Sequence, residues 1–348
     1  MNYYMPVKIF EEENAVRNHK ELLNSLGTKA LIVSGRTSAV KCGALDDITI
    51  ALDSLGISHI CFNEVEENPS TDTIIDATKF GLDAGADFVI GIGGGSPMDA
   101  AKAIALLMAH PGAGLDYLYD ASQSATALPV VCIPTTCGTG SEATGISVLT
   151  RHDNNSKGSI PHRIYPKIAF VDYRYLRALP KSVLHSSAID ALCHAVESYI
   201  NKKSTAYSSL FAFEAMTIFG KALPLLDSDC NDELLSNLIH ASTLAGMAIA
   251  HTGTSIPHAL SYRLTYNDGT AHGTACAYFL ADFVRQSPDM YRNKILELMG
   301  IDSIDDFSRL IESVCDFSLI NADSVAASKK EIGANPAKMG TAPFEFLL

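Results

Sequence analysis

Two short stretches hold side chains of the kind that bind a metal ion. "AIDALCHAVESYI" places Asp190 and His194 four residues apart. On a helix that spacing puts both on one face, so a carboxylate and an imidazole can converge on one ion. Such a pair also occurs as an ordinary surface or capping pair. "GTSIPHALSYRLTYNDGTAHG" adds His258, just after Pro257 at the start of a further helix, and His272 at the end of a turn-rich loop. One carboxylate and three imidazoles suit Fe(II) or Zn(II), with a coordination position left for a substrate oxygen. The ion would polarise a carbonyl or stabilise an alkoxide as a Lewis acid. Spacing alone leaves open whether the two pairs meet. Glu197 either supports the site from behind or is solvated. His251 is either a further member or a polar helix-terminal histidine.

A second kind of chemistry lies in the glycine loops. "DFVIGIGGGSPMDAAKA" runs a strand into Gly93, Gly94 and Gly95, then Ser96 and a helix. Glycines let the backbone approach a pyrophosphate, and the helix start offers free N–H groups and the positive dipole end. The same stretch also reads as a tight turn capped by serine, with Asp99 complementing the dipole. "IPTTCGTGSEAT" offers Thr135, Thr136, Thr139 and Ser141 just past another buried strand, where ligands of open α/β sheets sit. The first strand-to-helix turn, "VSGRTSAVKCG", has no GxGxxG and no acid to hold a ribose 2′-hydroxyl. Gly35, Arg36, Thr37 and Ser38 stand there instead. Arginine and hydroxyls suit a 2′-phosphate, although a solvated loop would look the same.

The elements that must carry these residues divide the chain of 348 residues. Up to about residue 178, short β-branched runs ("KALIVSG", "SHICFNEV", "ADFVIGIGGG", "LPVVCIPTT") alternate with helical stretches. That alternation predicts parallel βαβ units in a doubly wound sheet. From about Pro180 the pattern is helical throughout. The expected organisation is an α/β dinucleotide-binding domain over 1–178 and an all-helical metal-binding domain over 179–348. The closing "NPAKMGTAPFEFLL" is apolar and stops abruptly, as if short of a final element.

Composition narrows the partners. Net charge is −13, which repels nucleic acid. Hydrophobic residues reach 47% and charged residues 19%, so the chain is globular. No run is long and apolar enough to span a membrane, and the N-terminus has no signal-peptide pattern. The eight cysteines form no CxxC pair and read as buried free thiols in a reducing compartment, the cytoplasm.

Taken in order, "GGGSPMDAAKA", "PTTCGTGSEAT", "DALCHAVESY" and "PHALSY…AHG" resemble the iron-containing (group III) alcohol dehydrogenases, from about Tyr3 to about Pro336. The resemblance implies the dehydroquinate synthase-like architecture, with nucleotide and metal in a cleft between two domains, and a homodimer. It places the metal ligands at Asp190, His194, His258 and His272. It places the pyrophosphate loop at Gly94, Gly95 and Ser96 with Asp99 beside it, and the second nucleotide loop at Thr135, Thr136 and Thr139. Asn68 and Lys157 match positions that approach the nucleotide in relatives. Where many relatives carry a proton-relaying histidine, this chain has Tyr262, followed by Arg263, a residue able to bind an acidic substrate group or to serve structure. Relatives using NAD tend to have aspartate at the position of Gly35. Its absence, with Ser38 nearby, resembles the NADPH-using branch. The expectation is a dehydrogenase or reductase of small alcohols and aldehydes, with Fe²⁺ (or Zn²⁺) and NADP(H) preferred over NAD(H). The alternative is a catalytically impaired or sugar-phosphate-cyclase-like relative on the same fold.

Overall fold

The structure, a computed structural model, describes residues 3–153, 156–227 and 230–348. The chain forms two compact units. One comprises Tyr4–Thr136 and Ser141–Leu179. The other comprises Tyr3, Cys137–Gly140 and Pro180–Leu348.

The first unit is built on a six-stranded sheet, all of whose pairings are parallel. Its strands are β1 (Lys8–Glu11), β2 (Lys29–Ser34), β3 (Ser58–Phe62), β4 (Phe88–Gly93), β5 (Val130–Pro134) and β8 (Ile168–Val171), in the order β1-β8-β5-β4-β2-β3. β6 (Val148–Arg151) and β7 (Ser156–Ser159) make a separate antiparallel pair. Side chains alternate across the sheet, so each face has its own core. Leu31 and Val33 of β2 join Val89 and Cys132 under the Thr71–Ala84 and Gly95–Met108 helices. Ala30 and Ile32 join Ile90, Val131 and Phe170 on the other face, under the Ala44–Leu55 helix. Each large aliphatic side chain so buried contributes roughly 1.5–3 kcal/mol.

The runs read as strands in the sequence form β2, β3, β4 and β5. Ser70 caps the Thr71–Ala84 helix by accepting from Thr73 N–H at 3.2 Å. β1 and β8 were not expected. "KIFE" carries a charge at each end and a half-exposed pattern, as an outer strand does, and "IAFV" is too short to stand out.

Among the described residues, the regular elements of the second unit are all helices. Its centre is the Lys181–Tyr199 helix, which buries side chains on every side and packs against the Ala206–Ala222, Asp232–Thr252 and His272–Gln286 helices. Such a helix is a core element, so any polar residue on it needs a partner. The final segment is docked. The Thr341 carbonyl accepts from Lys202 N–H, Gln286 bonds Leu347 through both main-chain groups, and Phe344 and Phe346 pack on Phe283. The abrupt apolar end of the sequence therefore packs against its own unit.

Candidate metal centre

On the central helix, Asp190, His194 and Glu197 stand at i, i+4 and i+7, along one stripe. Asp190 and His194 are only 4% and 5% exposed, and Glu197 is wholly buried. Glu197 is not solvated. Its Oε2 accepts from Ser255 N–H and its Oε1 from His258 Nδ1–H, both at 2.5 Å. His194 Nδ1–H donates to the Gly138 carbonyl at 3.1 Å. With these two Nδ1 atoms engaged, the Nε2 atoms of His194 and His258 keep their lone pairs for another purpose. A carboxylate or carbonyl behind a histidine is the usual outer support of a metal ligand.

His258 reaches this point because most of the histidine stretch is regular. Ile256–Asp268 is a helix with Pro257 in its first turn, and it ends at Gly269 with φ 68°, in the left-handed region. His272 follows as the first residue of the His272–Gln286 helix, not as the end of a loop. Gly273 makes the approach possible. A Cβ there would stand 1.8 Å from the Ser186 carbonyl oxygen and 2.9 Å from the Asp190 side chain, so this helix crosses the central one at a distance only glycine allows.

The four donors converge. Asp190 Oδ1 lies 3.3 Å from His258 Nε2, 3.9 Å from His272 Nε2 and 4.0 Å from His194 Nε2. The His194 and His258 rings stack with centroids 4.5 Å apart. Asp190 Oδ1 and His258 Nε2 are buried and complete no hydrogen bond. Buried groups left in that condition cost about 1–3 kcal/mol each, and a divalent cation among them removes the cost. The charge also fits, because the buried carboxylates of Asp190 and Glu197 match a divalent ion. Burial alone would raise Asp190, but the imidazoles of His194, His258 and His272 outweigh it and hold its carboxyl below the usual range. Burial lowers His194 and keeps it neutral, as a ligand must be. His272 keeps 27% of its side chain exposed, which leaves the centre open on that side.

The residues around the centre sort themselves by contact. Tyr262 stacks on His272 at 6.1 Å, with the rings 9° from parallel, and burial pushes its phenol up. His251 stacks on Tyr3, and its Nδ1–H donates to the Met247 carbonyl one turn back, as a helix-terminal histidine does. Arg263 pairs with Glu331 at 2.6 Å. Cys276, one turn after His272, has its Sγ 3.9 Å from His272 Nε2. The sequence reading passed over it, although its i+4 spacing from His272 repeats that of Asp190 and His194.

In the sheet unit the strand order reverses between β2 and β4, the position where doubly wound sheets bind ligands at their carboxyl ends. Gly35 follows β2, and Gly94 and Gly95 follow β4. Thr135 N–H donates to the Gly93 carbonyl at 2.9 Å, and Thr136 Oγ1 would lie 3.2 Å from a Cβ on Gly94, so the first two threonines join the glycine loop. Thr139 belongs to the helical unit instead. Ser96 Oγ accepts from Asn68 N–H, and Lys157 Nζ donates to Asn68 Oδ1 at 2.5 Å. Asn68 has φ 59°. Asp99 does more than complement a dipole. It accepts from Ser141 Oγ at 2.6 Å and from Val148 N–H at 2.8 Å. Beside it the fully buried Lys102 donates to the Ser141 and Ile146 carbonyls at 2.8 and 2.7 Å. Ser147 is buried and donates to the Asp99 carbonyl. Gly35 is half-buried, and Arg36, Thr37 and Ser38 beside it are exposed.

All eight cysteines are free, but Cys61 and Cys230 are exposed and Cys42 is half-buried, so the expectation of uniformly buried thiols fails at these three. No helix among the described residues is long and apolar enough to cross a membrane.

Comparison with known proteins accords with this pairing of a parallel-sheet unit and a helical metal centre. The chain matches the iron-containing alcohol dehydrogenase model over residues 6–173 and the model of the family's C-terminal region over residues 185–318. It belongs to the iron-containing alcohol dehydrogenase family. It is 33% identical over 286 residues to long-chain-alcohol dehydrogenase 1 of Geobacillus thermodenitrificans, covering 80% of this chain and 72% of that one. It is 31% identical over 283 residues to lactaldehyde reductase of Escherichia coli strain K12, covering 78% and 72%. A crystal structure of an iron-containing alcohol dehydrogenase from Thermotoga maritima has a TM-score of 0.91 at 35% identity, over 99% of this chain and 96% of that one. Membership makes the chain an oxidoreductase that takes a metal and a nicotinamide dinucleotide, and it does not favour the cyclase alternative.

Proposed function

We propose that the protein is a metal-dependent aldehyde reductase and alcohol dehydrogenase that prefers NADP(H) and acts on small primary alcohols and aldehydes. The observation that carries this reading is the convergence of Asp190, His194, His258 and His272 about buried atoms that complete no hydrogen bond. In this proposal residues 1–178 hold the dinucleotide and residues 179–348 hold Fe²⁺ or Zn²⁺. When bound, the ion supplies Lewis acidity toward a carbonyl oxygen and the dihydronicotinamide supplies the hydride. The chain's own residues do the rest. Glu197 and the Gly138 carbonyl orient the imidazoles of His258 and His194. Tyr262 keeps its phenolic proton at neutral pH because burial raises it, and it holds that proton beside His272 for the alcohol being formed. Gly94, Gly95 and Ser96 present the helix start to the pyrophosphate, with Thr135, Thr136 and Thr139 nearby in sequence and Asn68, Asp99 and Lys157 bracing the loops. Gly35 supports the NADPH preference, since no carboxylate follows β2 to take a ribose 2′-hydroxyl, while Arg36 and Ser38 are exposed beside it. The proposed site is cytoplasmic, supported by eight free cysteines, and the homodimer rests on the resemblance alone.

The test is aldehyde-dependent oxidation of NADPH, with NADH in parallel, by anaerobically metal-loaded protein and a panel of small aldehydes. We expect turnover with kcat/KM at least tenfold higher for NADPH, about 1.4 kcal/mol of discrimination. A preference for NADH would remove the Gly35 argument and leave hydride transfer standing. No turnover in protein shown to hold its metal would overturn the functional reading.

A further inference from the structure

Cys276 sits inside the metal centre without a part in it so far. It is fully buried on the His272–Gln286 helix, one turn after His272. Single donor atoms of Asp190, His258, His272 and Cys276 all lie within 4.8 Å of one another. Two of these residues also bring buried atoms that complete no hydrogen bond, Asp190 Oδ1 and His258 Nε2. Bonds of about 2.0–2.3 Å to one five-coordinate cation would place neighbouring donors roughly 3–4 Å apart. The observed spacings of 3.3 Å between Asp190 Oδ1 and His258 Nε2 and of 3.9 Å between Cys276 Sγ and His272 Nε2 are both of that size.

We propose that Cys276 is a further metal ligand in this chain, its sulfur joining Asp190, His194, His258 and His272 as a fifth donor, and that it biases the centre toward zinc over iron. The inference rests on the metal reading above and extends it to the choice of ion. Sulfur is softer than imidazole nitrogen or carboxylate oxygen, and a soft donor favours a thiophilic cation. Ligation exchanges the S–H proton for the ion, and the proton leaves to solvent. The position on the helix makes the ligand specific. Residues four apart share a face, so the turn that presents His272 to Asp190 presents the sulfur as well.

The experiment uses the full chain loaded anaerobically with Co(II). A cysteine ligand gives a sulfur-to-cobalt charge-transfer band in the near ultraviolet, beside the visible d–d bands of the bound ion. We expect both in the natural protein. Cys276→Ser should keep the d–d bands and lose the charge-transfer band. In competition between equal Zn(II) and Fe(II), read by elemental analysis, the variant's zinc-to-iron occupancy ratio should fall at least about tenfold. Should the serine variant misfold, Cys276→Ala is used, and the spectrum of the natural protein decides by itself. Cobalt held without the charge-transfer band, a band that survives in the variant, or an unchanged zinc-to-iron ratio would overturn the assignment of Cys276 alone. A natural protein that binds no cobalt would overturn this proposal and the metal reading together.

Discussion

The metal centre and the glycine loops treat polar atoms in opposite ways. In the helical unit, carboxylate and imidazole atoms are gathered largely out of water, and Asp190 Oδ1 and His258 Nε2 complete no hydrogen bond. In the sheet unit, the polar side chains are largely bonded to one another. Ser96 meets Asn68, Asn68 meets Lys157, and Asp99 meets Ser141 and Val148. Among the described side chains of the two loops, Thr135 Oγ1 is buried with no partner. The difference follows from what each ligand asks for. A cation needs side-chain lone pairs, so its site is a set of unfinished contacts. A pyrophosphate needs backbone N–H groups and a helix end, so the side chains nearby are free to brace the loops that present them.

The contrast is broken most severely by Asp190→Asn. The change removes the charge that three imidazoles face, and we expect loss of bound metal and at least about a 1,000-fold fall in kcat/KM, roughly 4 kcal/mol. Circular dichroism should remain that of the folded protein. Metal retained at full stoichiometry would remove Asp190 from the ligand set. Glu197→Gln tests the support behind His258. The amide can still accept from one donor, but its NH₂ group then faces the other. Metal affinity should fall about 10–100-fold by competitive chelation, with the dissociation constant for NADPH unchanged. Asp99→Asn attacks the bracing in the sheet unit. The KM for the nucleotide should rise about 5–30-fold, the equivalent of 1–2 kcal/mol, while metal content stays constant. The smallest effect is expected from Thr135→Val, which removes one hydroxyl at nearly constant volume. If that hydroxyl meets the nucleotide, KM rises about 3–10-fold. If KM is unmoved and the melting temperature rises, Thr135 is only a buried orphan.

The middle of the sheet was legible because β2, β4 and β5 are apolar runs that lead into glycine or threonine. β1 and β8 escaped notice because four-residue strands carry too little pattern, and β1 is polar at both ends. The Asp190 and His194 pair was legible through the helical period. The convergence of that pair with His258 and His272 was not, because local spacing says nothing about which helices cross; the resemblance to a family supplied it. The start of the Ile256–Asp268 helix was legible at Pro257, but its length was not, because Asn267 and Gly269 read as loop residues yet serve at its end. The bonds by which Asp99 holds the loop between β5 and β6 were not legible, since a half-buried carboxylate is satisfied by whatever donors the fold brings to it. Cys276 carried the right spacing and was read only as one of the buried free thiols.

Gly273 contributes no donor atom to the centre, yet it governs how freely the centre can vary. Any change of its codon that alters the residue adds a Cβ, and a Cβ at this point meets the Ser186 carbonyl and the Asp190 side chain. A histidine ligand can give way to another donor and leave the backbone where it is. Gly273 has no such substitutes. In a randomly mutated library selected for activity, this position should be purged of variants as strictly as the four donors, and a library that randomises only the donors would explore every part of the centre except the one that lets the helices meet.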